Sequence, residues 1–143
     1  MSRDYPELLL ENQLCFPLYA ASKALVRRYE PLLKPFGLTY TQFIVMMVIW
    51  EKERIDVKEL GELVCLDSGT LSPLLNRLIG KGFIAKGKHG DGRYRYIEVT
   101  EAGWELREEV KGIPNQIGSC LPLDHGEVTK LYETCYKITG GLK

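Results

Sequence analysis

Apolar positions along this chain fall into helical repeats of changing face and length, interrupted once by a short alternating stretch. Leu71, Leu74, Leu75 and Leu78 stand at i, i+3, i+4 and i+7, the stripe of an amphipathic helix, and Asp67 or Ser68 just before them is a good N-cap. Upstream, residues 57–64 read as a short helix and Cys65-Leu66 as a tight turn, which together predict a helix-turn-helix. Downstream, Gly82 ends the helix. Residues 83–88 and 94–100 then alternate on either side of His89-Gly90-Asp91-Gly92-Arg93, a Gly/Asp tip that predicts a hairpin. A helix-turn-helix followed by a hairpin is a winged helix, so the expected fold is mainly α with a small β-wing.

The same repeats place the other elements. Leu14, Leu18, Ala21, Leu25 and Leu32 predict a long helix with Pro17 in its first turn, where a missing N–H costs nothing; Pro31 should kink or end it, and Pro35-Phe36-Gly37 is a break. Residues 1–12 have no clear pattern and read as loose. Thr39 caps a helix over 40–51 whose Phe43, Ile44, Met47, Val48 and Trp50 read as deep core, and Ile55 is placed to add a one-residue strand to the wing sheet. Thr100-Glu101-Ala102-Gly103 opens a helix to about residue 111, which Gly112, Pro114 and Gly118 interrupt. Residues 123–139 give a last amphipathic helix with Val128, Leu131, Tyr132, Cys135 and Ile138 on one stripe. The reading is one 143-residue domain, with a winged core over about 38–103 and long helices over about 8–36 and 104–143. Those long helices exceed what a small winged helix can cover, and a dimer interface is the natural use for them; a monomer with a helical subdomain is the alternative.

Composition changes the picture in two ways. Lys+Arg and Asp+Glu balance at 19 each, so a nucleic-acid surface must be local. It is: from Ser68 to Tyr96 there are six bases (Arg77, Lys81, Lys86, Lys88, Arg93, Arg95) against one acid, Asp91, whereas from Ile97 onward eight acids face five bases. The polar face of the second helix of the motif carries Ser68, Thr70, Ser72, Asn76 and Arg77, small hydrogen-bonding groups and one guanidinium that fits a guanine edge or a phosphate. Alone, such a face reads rather as an ordinary solvated one; its neighbours in the motif change that. No run is long and apolar enough to span a membrane, and no signal peptide is evident.

Candidate chemistry is sparse. Four widely spaced cysteines, Cys15, Cys65, Cys120 and Cys135, contain no CxxC pair, which points to thiols in a reducing cytoplasm rather than a metal or disulfide framework. There is no nucleotide-binding glycine pattern, no HExxH, and only His89 and His125, so neither metal nor cofactor is expected and an enzyme is not indicated. Cys15 stands out because it falls at a helix start, where unpaired N–H groups and the macrodipole favour an anion, with Phe16 and Tyr19 beside it. A buried, inert thiol is the plain alternative. Cys65 and Cys135 read as core.

The segments Leu14-Cys15-Phe16-Pro17-Leu18-Tyr19-Ala20, Gly37-Leu38-Thr39-Tyr40-Thr41-Gln42, Lys58-Glu59-Leu60-Gly61, Leu66-Asp67-Ser68-Gly69-Thr70-Leu71, Asp91-Gly92-Arg93 and Val99-Thr100-Glu101-Ala102-Gly103 resemble the MarR family, and more narrowly its OhrR branch of organic-hydroperoxide-sensing repressors. The similarity runs from about residue 10 to 110. It implies a cytoplasmic homodimer that holds a pseudopalindromic double-stranded operator until its cysteine is oxidised, with an organic hydroperoxide as inducer. By resemblance, Cys15 is the sensing thiol, and Tyr29 and Tyr40 match tyrosines that reach this sulfur from the paired subunit. Phe16, Leu18 and Tyr19 would make an apolar pocket favouring organic peroxides. Cys120 lies where some members carry a resolving cysteine. The match also implies Asp67, Ser68, Thr70, Ser72 and Arg77 as DNA-reading positions, though Asp67 also serves as a cap. Arg93 would enter a minor groove, oriented by Asp91. Lys86, Lys88 and Arg95 are phosphate contacts or plain solvated charges, and Gly87, Gly90 and Gly92 make this wing richer in glycine than the pattern requires. Two other readings stay open: a regulator that binds a small phenolic ligand, with Cys15 structural, and a thiol peroxidase, for which no recycling motif is present.

Overall fold

A computed structural model describes residues 4–88 and 95–143. Its elements are α1 (Cys15–Leu33), α2 (Tyr40–Lys52), β1 (Arg54–Asp56), α3 (Val57–Val64), α4 (Ser68–Gly80), β2 (Ile84–Lys88), β3 (Arg95–Val99), α5 (Glu101–Val110), α6 (Ile113–Cys120) and α7 (His125–Gly141). The chain forms two compact units, Met1–Ile113 and Pro114–Lys143.

The winged helix is in place. Asp56 caps α3, its Oδ1 accepting from the Lys58 and Glu59 amides at 2.8 and 3.3 Å. Cys65 then turns the chain in the left-handed conformation (φ 57°), and Asp67 caps α4 through the Thr70 amide at 2.8 Å. The predicted stripe of Leu71, Leu74, Leu75 and Leu78 is buried. Gly61 allows this tight turn, since a Cβ there would lie 3.0 Å from the Leu66 carbonyl. The strands form one antiparallel sheet in the order β1-β3-β2, with Ile55 opposite Ile97 and Ile84 opposite Val99. Ile55, Ile84 and Ile97 are buried, which fixes the register because a one-residue slip would turn all three outward. Thr100 joins the wing to α5: its Oγ1 donates to Gly82 O at 2.6 Å and accepts from the Gly103 amide at 3.1 Å. The Gly103 carbonyl accepts from Trp50 Nε1 at 2.9 Å, and a Cβ on Gly103 would meet the Phe83 carbonyl at 2.2 Å.

Four expectations change. The residues before α1 are ordered as two 3-10 turns, Pro6–Leu8 and Leu10–Asn12. Asn12 Nδ2 donates to Pro6 O at 2.7 Å, and Gln13 Nε2 donates to Glu7 O and Leu9 O at 2.7 and 2.8 Å. Pro31 does not end α1, which runs on to Leu33; the helix bond to the Arg27 carbonyl is lost, and complete burial of Leu33 offsets it. In α2 the core face is Phe43, Val45, Met46, Ile49 and Trp50, while Ile44, Met47 and Val48 are only half-buried. Gly112 interrupts the helix as expected, in the break between α5 and α6, whereas Pro114 and Gly118 lie within α6, Pro114 in its first turn, where proline is tolerated.

Candidate DNA-reading face and cysteine–tyrosine site

The polar face of α4 is laid out as the spacing requires. Once Leu71, Leu74, Leu75 and Leu78 turn inward, Ser68, Thr70, Ser72, Asn76 and Arg77 are all exposed. Asp67 is exposed too, but its carboxylate is engaged as the helix cap. Ser72 and Asn76 share a cleft of about 80 Å³ with Lys86 of β2, walled by Val57, Leu75, Ile79 and Ile97, so α4 and the wing base converge on one spot. That convergence is invisible in the sequence, where Lys86 lies 14 and 10 residues from the other two. Also unpredicted is a brace on β1 and β3. Arg54 Nε meets Glu98 Oε1 at 3.3 Å, and the guanidinium lies 4.5 Å from the Tyr96 ring centroid.

Lys81, counted above with the basic stretch, is used differently. Its ammonium donates to the Gly37 carbonyl and, at 3.3 Å, to Gln42 Oε1. Asp91 and Arg93 lie outside the described residues, as does the rest of the wing tip over 89–94. Lys88 is described only as a strand position opposite Arg95.

Cys15 is the first residue of α1, and all four cysteines are exposed thiols. Cys65 and Cys135 are thus not core: Cys65 occupies the turn itself, and α7, which carries Cys135, buries none of its residues. Beside Cys15, Phe16 lines a groove of about 610 Å³ with Leu9, Leu10, Glu11, Gln13 and Pro17. The expected companions are not in that lining: Leu18 is half-buried, and Tyr19 is exposed with the Lys23 ammonium 5.1 Å from its ring centroid. The ordered turns before α1, read from the sequence as loose, supply the wall instead.

Tyr29 and Tyr40 come together at the other end of α1, with ring centroids 4.9 Å apart, and Phe43 is 6.1 Å from Tyr29. Burial, then the neighbouring Tyr40, pushes the Tyr29 phenol above its usual value, so it remains a proton donor at neutral pH. Fourteen residues separate Cys15 from Tyr29 on one helix, about 21 Å at 1.5 Å per residue. Within a single chain that sulfur and these phenols cannot hydrogen-bond. A second cavity, about 720 Å³, opens beside Tyr40 and is lined by Val26, Glu30, Pro31, Lys34 and residues 37–41. Among the described residues no cluster of metal-ligating side chains is present, and no single helix is long and apolar enough to cross a membrane.

A leucine-backed helix that presents hydroxyls, an amide and a guanidinium, braced by a three-stranded wing, defines a DNA-binding regulator of the winged-helix class. The sequence comparisons agree. Residues 27–110 match the transcriptional regulator SarA/Rot family model. The organic hydroperoxide resistance transcriptional regulator of Bacillus subtilis (strain 168) is 42% identical over 118 residues, 82% of this chain and 80% of that protein. The regulator SarZ of Staphylococcus haemolyticus is 44% identical over 123 residues, 85% of this chain and 84% of that one. Reduced AbfR bound to DNA, a protein also solved from Staphylococcus epidermidis, superposes with a TM-score of 0.78 at 33% identity, covering 94% of each chain; the same protein has been solved in overoxidized, DNA-bound and disulfide-formed states. The chain belongs to the MarR family of transcriptional regulators, in its OhrR-like branch. Its relatives are regulators rather than enzymes, which removes the thiol peroxidase reading.

Proposed function

We propose that this protein is a cytoplasmic homodimeric repressor that holds a pseudopalindromic operator while Cys15 is reduced and releases it when an organic hydroperoxide oxidises that thiol. The observation that carries the reading is the placement of Cys15 and the Tyr29–Tyr40 pair at opposite ends of α1. Two copies packed antiparallel along α1 would bring one protomer's sulfur to its partner's phenols, and neither half works alone. The Bacillus subtilis relative named for organic hydroperoxide resistance, and the AbfR structures in three oxidation states, support it.

The chemistry is a displacement at oxygen. The Cys15 thiolate attacks the distal peroxide oxygen, the O–O bond breaks, and the alkoxide leaves and takes up a proton, so sulfur ends as a sulfenic acid and the peroxide as an alcohol. The phenol O–H groups of Tyr29 and Tyr40 stabilise the thiolate and the departing oxygen. The Phe16 groove supplies the apolar surface that prefers an alkyl peroxide. Cys120 then attacks the sulfenic sulfur, forming an intersubunit disulfide and releasing water. Oxidation removes the hydrogen bonds to the phenols, the dimer helices shift, and the two copies of α4 no longer match one turn of DNA. At the operator, Ser68, Thr70, Ser72, Asn76 and Arg77 read the major groove, while Lys86 and Lys88 hold phosphates and Asp91 and Arg93 serve the wing tip.

The test is operator binding of the reduced protein with and without cumene hydroperoxide, alongside a non-reducing gel. Release with a dimer-sized band that disappears in Cys120→Ser supports the two-cysteine switch. Release without the band keeps Cys15 and removes Cys120. A Cys15→Ser protein that still responds would instead support the second reading, a phenolic effector in the cavity of about 720 Å³ beside Tyr40.

A further inference from the structure

We infer that Lys81 is a positioning residue that couples the start of α2, and with it Tyr40, to the far end of recognition helix α4. The inference deepens the sensing function proposed above and rests on it.

Lys81 belongs to α4 at its backbone, where its amide donates to the Arg77 carbonyl at 3.0 Å. Its side chain belongs to the corner between α1 and α2. There the ammonium donates to Gly37 O and to Gln42 Oε1. Both acceptors are held in place. Gly37 closes the 3-10 turn after α1 in the left-handed conformation (φ 67°), its amide donating to Lys34 O at 3.0 Å. Gln42 is buried, and it forms a capping box with Thr39: the Thr39 amide donates to Gln42 Oε1 at 3.1 Å, and the Gln42 amide donates to Thr39 Oγ1 at 3.2 Å. Gln42 Oε1 therefore serves the cap of α2 and the end of α4 together. Tyr40 follows Thr39 directly and packs against Tyr29 with its ring tilted by 49°.

The consequence is mechanical. If the Tyr40 phenol loses its sulfur partner and its ring moves, Thr39 and the capping box move with it. The two acceptors of Lys81 then shift together, and the end of α4 either follows or loses its anchor. No other role is needed for a cation on this side chain, since both of its acceptors are protein oxygens of the α1–α2 corner.

The experiment compares wild type, Lys81→Met and Lys81→Arg for operator affinity before and after cumene hydroperoxide, with the salt dependence of binding. In the reduced state Lys81→Met is expected to bind within about twofold of wild type with the same salt slope, while its loss of affinity on oxidation shrinks by about tenfold. Lys81→Arg, which keeps donors, should restore release. Full release in Lys81→Met overturns the coupling, and so does a salt slope reduced by about one, which would mark a phosphate contact. A wild type that does not release at all refutes the peroxide reading, and the coupling is then judged by amide hydrogen exchange. Linkage is reciprocal, so operator binding should slow exchange at residues 37–43 in wild type and not in Lys81→Met. Equal protection in both overturns it.

Discussion

Helices α4 and α7 begin the same way and end differently. Each is capped by an aspartate whose Oδ1 accepts from a backbone amide at 2.8 Å, Asp67 from Thr70 and Asp124 from Glu127, and α7 adds the full capping box. Each carries an apolar stripe at helical spacing. In α4 that stripe is inside, with Leu71 2% and Leu78 0% exposed; in α7, Leu131 is 47% and Tyr132 and Tyr136 are each 64% exposed. Local signals specify that a helix forms and which face needs cover. They do not say whether the cover comes from the same chain. An exposed, continuous apolar stripe marks an interaction surface, and in the proposed dimer a second copy covers this one.

The largest effect should come from charging the uncovered stripe. Leu131→Asp is expected to move the protein from dimer to monomer in sedimentation and to weaken operator binding by about 100-fold or more, because the second half-site is no longer linked to the first. Unchanged mass with wild-type affinity would break the contrast between the two helices. Next comes the covered stripe. Leu78→Ala removes a fully buried side chain and should cost about 2–5 kcal/mol in denaturant unfolding. A loss well below that range would mean the α4 stripe is less dependent on its own chain than its burial indicates.

A smaller effect separates the two faces of α4. Arg77 is exposed, so Arg77→Ala should leave unfolding stability nearly unchanged and weaken operator binding by about 1–3 kcal/mol if the guanidinium reads a base. A uniform loss across operator sequences, with a shallower salt dependence, would assign it to a phosphate instead.

What the sequence made legible follows the same division. Within the described residues the winged helix could be read closely, because Asp67, Thr100 and Gly82 are local stop and start signals and the strands alternate; the Asp56 cap of α3 was not anticipated from the sequence. The core face of α2 could not. Apolar residues run nearly all round it, so no stripe separates Val45, Met46 and Ile49 from Ile44, Met47 and Val48. Pro31 does not act as a stop because the helix runs on to bury Leu33, which offsets one lost helix bond. The candidate sensor pieces were found by resemblance, but the wall of the Phe16 groove was not, since the turns over residues 6–12 are held by the amides of Asn12 and Gln13 rather than by any hydrophobic pattern. The shared acceptor at Gln42 joins residues 39 apart, a relation no local signal carries.

The smallest expected effect lies in the buried part of the tyrosine pair. Burial and Tyr40 raise the Tyr29 phenol above its ordinary value of 10.0, so the folded protein holds that proton more tightly than the unfolded chain does. The associated stability is fully present below the unfolded value and is lost as pH rises through the raised folded one. Thermal stability of wild type should therefore fall more steeply than that of Tyr29→Phe as pH climbs above 10.0, while the two curves run parallel near neutrality. Parallel curves throughout would mean that the phenol is solvated in the folded protein. In the proposed dimer, where the partner's Cys15 thiolate would add a negative charge beside Tyr29, the alkaline limb should shift further up in the reduced protein. In Cys15→Ser it should return toward the position that burial and Tyr40 set.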